Sequence, residues 1–332
     1  MPHALITGAA GFVGRWLTAA MRREGIAVTA LALEPVAAVP SPLQALAEAS
    51  VQNESPLSAP LTWMIGNLRD ASYVTQVVNA APFDFVVHLA AISHLSAAES
   101  DPAMAWEINV TSTASLLHAI GLARRAGTMD PTVLIVGSAE QYGRRSAGEE
   151  PIAESAPLEP RTVYAATKCA QETLALQQWR AKGLRVVLTR SFNHSGPGQE
   201  TRFVLPALVQ RALGLRDAPA GAPLIMGNTT PVRDFLHVSD VVAAYISLCR
   251  RGTPGEAYNV ASGTGRSVQS IVESVLARTG VQAEISVDPA LLRPVDVPAL
   301  VGDPRKLQHA TGWRATRSFE DIIDDLIHAS TL

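Results

Sequence analysis

Cysteine is nearly absent from this chain of 332 residues: only Cys169 and Cys249 occur, far apart and in no metal or redox spacing. That excludes a disulfide framework, suits a reducing compartment, and leaves both thiols to be read as small buried residues. None of the eight histidines has partners at ligand spacing, so no metal centre is expected. Charge of one sign is lacking too. With 27 basic and 30 acidic residues the formal net charge is -3, which offers no electrostatic attraction for nucleic acid or an anionic membrane. No uninterrupted apolar run reaches the length of a membrane span. The N-terminus has no basic region before its apolar run and enters a glycine motif by Gly8, so no signal peptide is expected and the location reads as cytoplasmic. There is no internal repeat and no low-complexity tail.

What is present is a chain 47% hydrophobic, long enough for one large domain or two ordinary ones. His3–Thr7 reads as a buried strand, followed by Gly8, Gly11 and Gly14 at three-residue intervals and a helical pattern over Phe12–Arg23 stopped by Gly25. Strand, glycine turn and helix form the context of a dinucleotide-binding fingerprint, here spaced G-x-x-G-x-x-G. Gly8 permits the tight turn, Gly11 lets amides approach a pyrophosphate, and Gly14 lets the helix pack close to the strand. Phe12 and Val13 lie at the helix start that would face the anion.

A second strand is expected from Ala27 to about Leu33. Glu34 just beyond it, with no arginine nearby, favours NAD(H) over NADP(H), because an acidic side chain there binds a ribose 2′-hydroxyl. Residues 35–60 are rich in Ala, Pro and Ser and read as a surface insertion, with a short helix from Ser41-Pro42 through Ala49. A third strand, about Leu61 to Ile65, leads to Asn67 and Leu68 at the adenine side of the expected cofactor. The strand Phe85–Leu89 runs into Ala90 and Ala91, small residues that let backbone pass close to a bound cofactor. His88 reads as satisfying a local hydrogen bond, and Asn109, early in a long helix, as bonding backbone.

Val133–Gly137 is a further buried strand with Ser138 and Glu140 at its carboxyl end, where open parallel sheets bind ligands. A proline-punctuated loop then leads to Tyr164 and Lys168, four apart and so on one helix face. The phenol is a candidate proton donor, and the ammonium is expected to lower its pKa. Serine after a strand, then this pair, all downstream of a dinucleotide turn, is a specific constellation. Strands alternating with helices up to about Tyr164 imply an α/β fold, a doubly wound parallel Rossmann sheet. Scattered later segments imply a smaller C-terminal substrate-binding cap. The boundaries expected are 1–190 plus 233–263 for the dinucleotide domain, and 191–232 plus 264–332 for the cap.

Thr7–Gly14 with Ser138, Tyr164 and Lys168 resembles the extended short-chain dehydrogenase/reductase family over nearly the whole chain. The run Arg190–Gln199 looks like its nucleotide-sugar branch, especially the GDP-mannose 4,6-dehydratase group. Val232–Phe235 and Leu292–Pro298 look more like that group's GDP-4-keto-6-deoxy-mannose reductase, and the pattern from Gly302–Lys306 to Thr311–Trp313 is shared across the branch. The resemblance implies substrate contacts for Asn193 and diphosphate contacts for Arg233 and Arg293, and a guanidinium suits phosphate oxygens. It implies an NAD(P)-dependent enzyme, a GDP-linked sugar and a homodimer packed through the helix near Asn109–Ala126 and the helix carrying Tyr164. Ala32-Leu33-Glu34 replaces the basic pair usual in the dehydratases, which weighs against a dehydratase and leaves the nucleotide open between NAD(H) and NADP(H). Arg161 before the tyrosine points the other way. The first expectation is a reductase of a nucleotide-linked 4-keto-6-deoxy sugar. The rivals are a 4,6-dehydratase or epimerase on the same scaffold and a non-catalytic dinucleotide sensor, which the intact Ser–Tyr–Lys set disfavours.

Overall fold

Strand β1 (His3–Thr7) sends Ala4 and Ile6 to one side and Leu5 to the other, and all three are fully buried. A strand that is apolar on both faces has to lie between two layers, which is how a parallel sheet covered by helices reads. The computed structural model describes residues 1–35, 59–143, 151–219, 222–291 and 297–331. The expected helix from Ser41 to Ala49 lies outside them.

Helix α1 (Phe12–Arg23) follows β1, then come strands β2 (Ala27–Ala32) and β3 (Leu61–Ile65), helix α2 (Ala71–Val78) and strand β4 (Phe85–His88). Helices α3 (Leu95–Ser100) and α4 (Pro102–Trp106) lead through a π-helical turn, Glu107–Thr111, into α5 (Ser112–Arg125). Strand β5 (Thr132–Ser138), helix α6 (Val163–Lys182) and strand β6 (Val186–Ser191) come next. With β7 (Asn193–Ser195), α7 (Val204–Gly214), β8 (Leu224–Met226) and β9 (Val232–His237), the chain enters its smaller part. Helix α8 (Val238–Arg251) and strand β10 (Ala257–Val260) return to the first. Strand β11 (Gly265–Ser267), α9 (Val268–Thr279), β12 (Ile285–Val287), β13 (Ala299–Leu300), α10 (Arg305–Thr311) and α11 (Phe319–Ser330) complete the fold.

Seven strands form the main sheet in the order β3-β2-β1-β4-β5-β6-β10, with every pairing parallel. The order reverses between β1 and β4, and a doubly wound sheet opens a ligand crevice at such a point. On one face Ala4, Ile6, Val28, Val87 and Leu134 pack with Leu17 and Met21 of α1 and Val241, Tyr245 and Leu248 of α8. On the other, Leu5, Val86, Val133 and Ile135 pack with Val74 and Val77 of α2, Leu116 and Ile120 of α5, and Ala175 of α6. Each fully buried Leu or Ile contributes about 1.5–3 kcal/mol of transfer free energy, so the two layers hold the strand ends in a fixed frame.

The smaller part has its own core, where Leu205 and Leu208 of α7, Ile271 and Val275 of α9, and Ile322 and Ile323 of α11 meet Phe235. Its main sheet is built on β9, which pairs with β7 and β13 in parallel and with β11 antiparallel. The chain therefore crosses between the two parts differently from the expected boundaries. Strand β9, expected with the dinucleotide domain from residue 233, lies in the second sheet, and Leu307 and Trp313 of the C-terminal segment pack into the core of the first. Asp234 of β9 fastens the crossing. This fully buried carboxylate accepts hydrogen bonds from Ser262 N (2.9 Å) and Oγ (2.6 Å), Gly263 N (3.0 Å) and Gly302 N (3.3 Å).

Candidate active site

The glycine turn is built for close approach. Gly8 has φ +69°, and a Cβ there would lie 2.8 Å from Ala90 N, against the chain leaving β4. At Gly14 a Cβ would stand 2.3 Å from Gly8 O, so the helix rests directly on the turn. Gly11 is the N-cap of α1 and no side chain caps that end. The first-turn amides of Phe12, Val13 and Gly14 thus meet no competing side-chain acceptor and suit a pyrophosphate. Leu89, Ala90 and Ala91 lie alongside, with Leu89 N donating to Thr7 O (3.2 Å) and Ala90 N to Thr7 Oγ1 (3.3 Å). Glu34 is exposed two residues beyond β2, while Asn67 and Leu68 follow β3, with Asn67 exposed and Leu68 packed at the edge of the core. These residues fit a dinucleotide laid across the switch point.

Ser138 ends β5 and is the N-cap of a short 3₁₀ turn, Ala139–Tyr142, where its Oγ accepts from Glu140 N at 3.2 Å. Its hydroxyl faces Tyr164, in the first turn of α6, closely enough to favour the phenolate. That helix is pinned at its start by Thr162, whose Oγ1 accepts from Ala165 N (3.1 Å), and by Glu99, which accepts from Val163 N (2.7 Å). Lys168, one turn on, is 4% exposed and lies 5.9 Å from the Tyr164 ring centroid.

The electrostatics differ from the expected tuning. Burial pushes the Tyr164 phenol up to about 12, the nearby Ser138 hydroxyl opposes this, and the Glu140 carboxylate adds to it. Tyr164 keeps some solvent contact at the cleft, so the rise is that of a crowded but not sealed group. Lys168 does not lower it, because its ammonium donates to Val136 O at 2.9 Å and burial pushes it down to about 7. Desolvation of both groups outweighs their mutual attraction.

Two further sets of side chains support this centre. Asn109 lies in the π-helical turn rather than early in a regular helix. Its Oδ1 accepts from Ile92 N (2.8 Å) while Nδ2 donates to Ile92 O (3.2 Å) and Thr167 Oγ1 (2.9 Å). It does bond backbone, and it also ties the loop after β4 to α6. Behind Ser138, Arg190 at the end of β6 meets Glu172 of α6 through Nε (3.0 Å) and Nη2 (2.6 Å), with both side chains 8% exposed. Gln141 Nε2 donates to Glu172 Oε2 at 2.9 Å, and Ser138 N donates to Gln141 Oε1 at 2.9 Å. Glu172 and Gln141 are absent from the expected site, although both carried a signal. Glu172 is four residues beyond Lys168 on one helix face, and Ser138-x-x-Gln141 has capping-box spacing.

Asn193 opens β7, half-buried and paired with Phe235 of β9. Beside it His194 stacks on Phe12 of the glycine turn, with ring centroids 6.2 Å apart. Arg233 donates from Nη1 to Val297 O (2.7 Å) and Val232 O (2.9 Å), clasping β9 to the segment before β13. Arg293 lies outside the described residues. Among the described residues no group of three or more His, Cys, Asp or Glu could hold a metal ion, and no helix is long and apolar enough to cross a membrane.

Comparison with known proteins agrees with this geometry. The family model described as GDP-mannose 4,6 dehydratase matches residues 5–326. A GDP-6-deoxy-D-mannose reductase of Pseudomonas aeruginosa is 34% identical over 231 residues, 70% of this chain and 75% of that protein. A dTDP-glucose 4,6-dehydratase of Streptomyces antibioticus is 33% identical over 322 residues, 97% of this chain and 90% of the relative. Among solved structures, that of RMD from Pseudomonas aeruginosa complexed with NADPH superposes with a TM-score of 0.79 at 27% identity, covering 100% of both chains. The reversal of strand order between β1 and β4, the Ser138–Tyr164–Lys168 set and a family match from residue 5 to 326 converge: the chain belongs to the GDP-mannose 4,6-dehydratase family, within the nucleotide-sugar branch of the extended short-chain dehydrogenases/reductases, which are NAD(P)-dependent enzymes.

Proposed function

We propose that this enzyme reduces the C4 ketone of a GDP-linked 4-keto-6-deoxy sugar in deoxysugar biosynthesis. The observation that carries the reading is the juxtaposition of Ser138, at the carboxyl end of β5, with Tyr164 and, one helical turn on, Lys168, whose Nζ lies 5.9 Å from the phenol ring centroid. A nicotinamide bound along the glycine turn supplies hydride transfer to a carbonyl carbon. Ser138 holds the C4 oxygen, and Tyr164 protonates it as negative charge develops. A phenol pushed up to about 12 is fully protonated at neutral pH, as a donor must be. Lys168 would hold the nicotinamide ribose, and its ammonium there would favour the phenolate. Glu34 favours NAD(H) over NADP(H). The sugar nucleotide lies beneath the second sheet, with Asn193 on the sugar and the guanidinium groups of Arg233 and Arg293 on the diphosphate. The resemblance to a GDP-6-deoxy-D-mannose reductase supports the GDP-linked substrate. A homodimer packed through α5 and α6 is part of the same proposal.

A 4,6-dehydratase is the second reading. It is favoured by Arg161 before the tyrosine, and in it Glu140, which acts electrostatically on Tyr164, would take the proton from the sugar C5. Incubation with GDP-4-keto-6-deoxy-mannose and either NADH or NADPH separates the two. A reductase consumes one reduced cofactor per turnover, whereas a dehydratase converts GDP-mannose with no net consumption. Tyr164→Phe is expected to lower kcat by at least about 100-fold. Undiminished turnover in that variant would sink the catalytic assignment under either reading.

A further inference from the structure

Gln141 and Glu172 touch no reacting atom in the mechanism above, yet they join Ser138 to the helix that carries Tyr164. Tyr164, Lys168 and Glu172 recur every four residues, so α6 presents all three along one face. The first two reach the cleft, while Glu172 turns to the buried ends of β5 and β6. Arg190 fixes both oxygens of its carboxylate, and the remaining capacity of Oε2 takes the Gln141 amide at 2.9 Å. A carboxylate only accepts and a main-chain N–H only donates, so the Gln141 amide has a single orientation, Nε2 to Glu172 and Oε1 to Ser138 N. Gly137 leaves room for that reach: a Cβ there would stand 2.5 Å from Gln141 Oε1. Gln141 itself is fully buried.

We infer that Gln141, oriented by Glu172, is a positioning residue that sets the Ser138 hydroxyl against Tyr164. The amide fixes the register of β5 and α6 within the site, so the Ser138 hydroxyl and the Tyr164 phenol face each other as groups already in place. This rests on the role assigned to Ser138 above.

A double-mutant cycle separates the two claims. Gln141→Met keeps side-chain volume and removes both hydrogen bonds, and kcat is expected to fall about 10- to 50-fold because misplacing a reacting group is costly. KM for nucleotide and sugar should stay within about threefold, since neither ligand touches Gln141. In a Ser138→Ala background the same substitution should change kcat by less than about twofold, because the group being positioned is gone. An equal loss in both backgrounds would show Gln141 to be a general support of the fold and overturn the inference while leaving the function intact. If Ser138→Ala alone left kcat unchanged, the catalytic reading and this inference would fall together. Gln141→Asn, whose shorter amide cannot span both partners, repeats the cycle if the Met variant does not fold. If neither variant binds NAD(P)H as the parent enzyme does, Gln141 is a folding residue and the inference fails.

Discussion

Thr113 donates its hydroxyl proton to Asn109 O at 2.6 Å, so towards His88 Nε2 (2.9 Å) and Gln171 Nε2 (2.7 Å) it can only accept. His88 therefore carries its proton on Nε2 and receives Thr7 Oγ1 on Nδ1 at 2.8 Å. Burial pushes this imidazole down to about 3, and the charge of Lys168 adds to the effect. The folded value lies below the ordinary 6.5, so the neutral ring's stabilisation is complete above pH 6.5 and is lost as pH falls from there towards 3. His88→Asn is expected to cost about 1–3 kcal/mol at pH 7.5, through unmade buried hydrogen bonds. Denaturant unfolding of both proteins should show that gap shrinking by pH 4.5, and a constant gap would rule out the neutral ring as its source. The sequence allowed His88 to be read as a local hydrogen-bonding residue, and Tyr164 and Lys168 to be paired by their spacing. It did not disclose the direction of their pKa shifts. That depends on where the ammonium rests, and Val136 O lies in β5, far from Lys168 in the sequence.

Elements with a strong local period were legible nearly to the residue. Strand β1, the helix Phe12–Arg23 and the strand Leu61–Ile65 fall where apolar spacing and glycine punctuation put them. The π-helical turn before α5 was not legible, because one extra residue in a helical turn leaves no mark on a period of about 3.6. The glycine turn offers the clearest test at this scale. At Gly14 an added Cβ meets Gly8 O at 2.3 Å and Ala9 Cα at 2.6 Å, both backbone, so α1 has to lift from the turn. Gly14→Ala is expected to destabilise the fold by about 1–3 kcal/mol and to weaken NAD(P)H binding by more than about tenfold. Thermal unfolding and a fluorescence titration measure these. Gly214→Ala, where a Cβ meets nothing within 4 Å, is the matched substitution that should change neither.

Across the whole molecule, the main sheet was legible and the second was not. Its strands β7, β9, β11 and β13 are two to six residues long and come from four separate stretches, so no window of sequence contains their pairing. For the same reason β9 was expected with the dinucleotide domain. Assembly is testable at this scale through Leu122, which is 44% exposed on α5. If α5 and α6 form the dimer, Leu122→Glu should halve the mass seen in sedimentation equilibrium at micromolar concentration, because it places a charge in an apolar interface. An unchanged mass would exclude that face.

Asp234 ties the two sheets together where the chain crosses between them. Its four donors come from the chain leaving β10 and from Gly302, so one buried carboxylate holds together three stretches that would separate if the two sheets swung apart there. Stripping a buried carboxylate of its donors leaves it desolvated and unpaired, so that crossing is held firmly. The rim where His94, after β4, meets Phe203, before α7, edge to face at 5.9 Å is held by far weaker forces. The two parts of the fold are thus tied firmly at Asp234 and only lightly at His94 and Phe203.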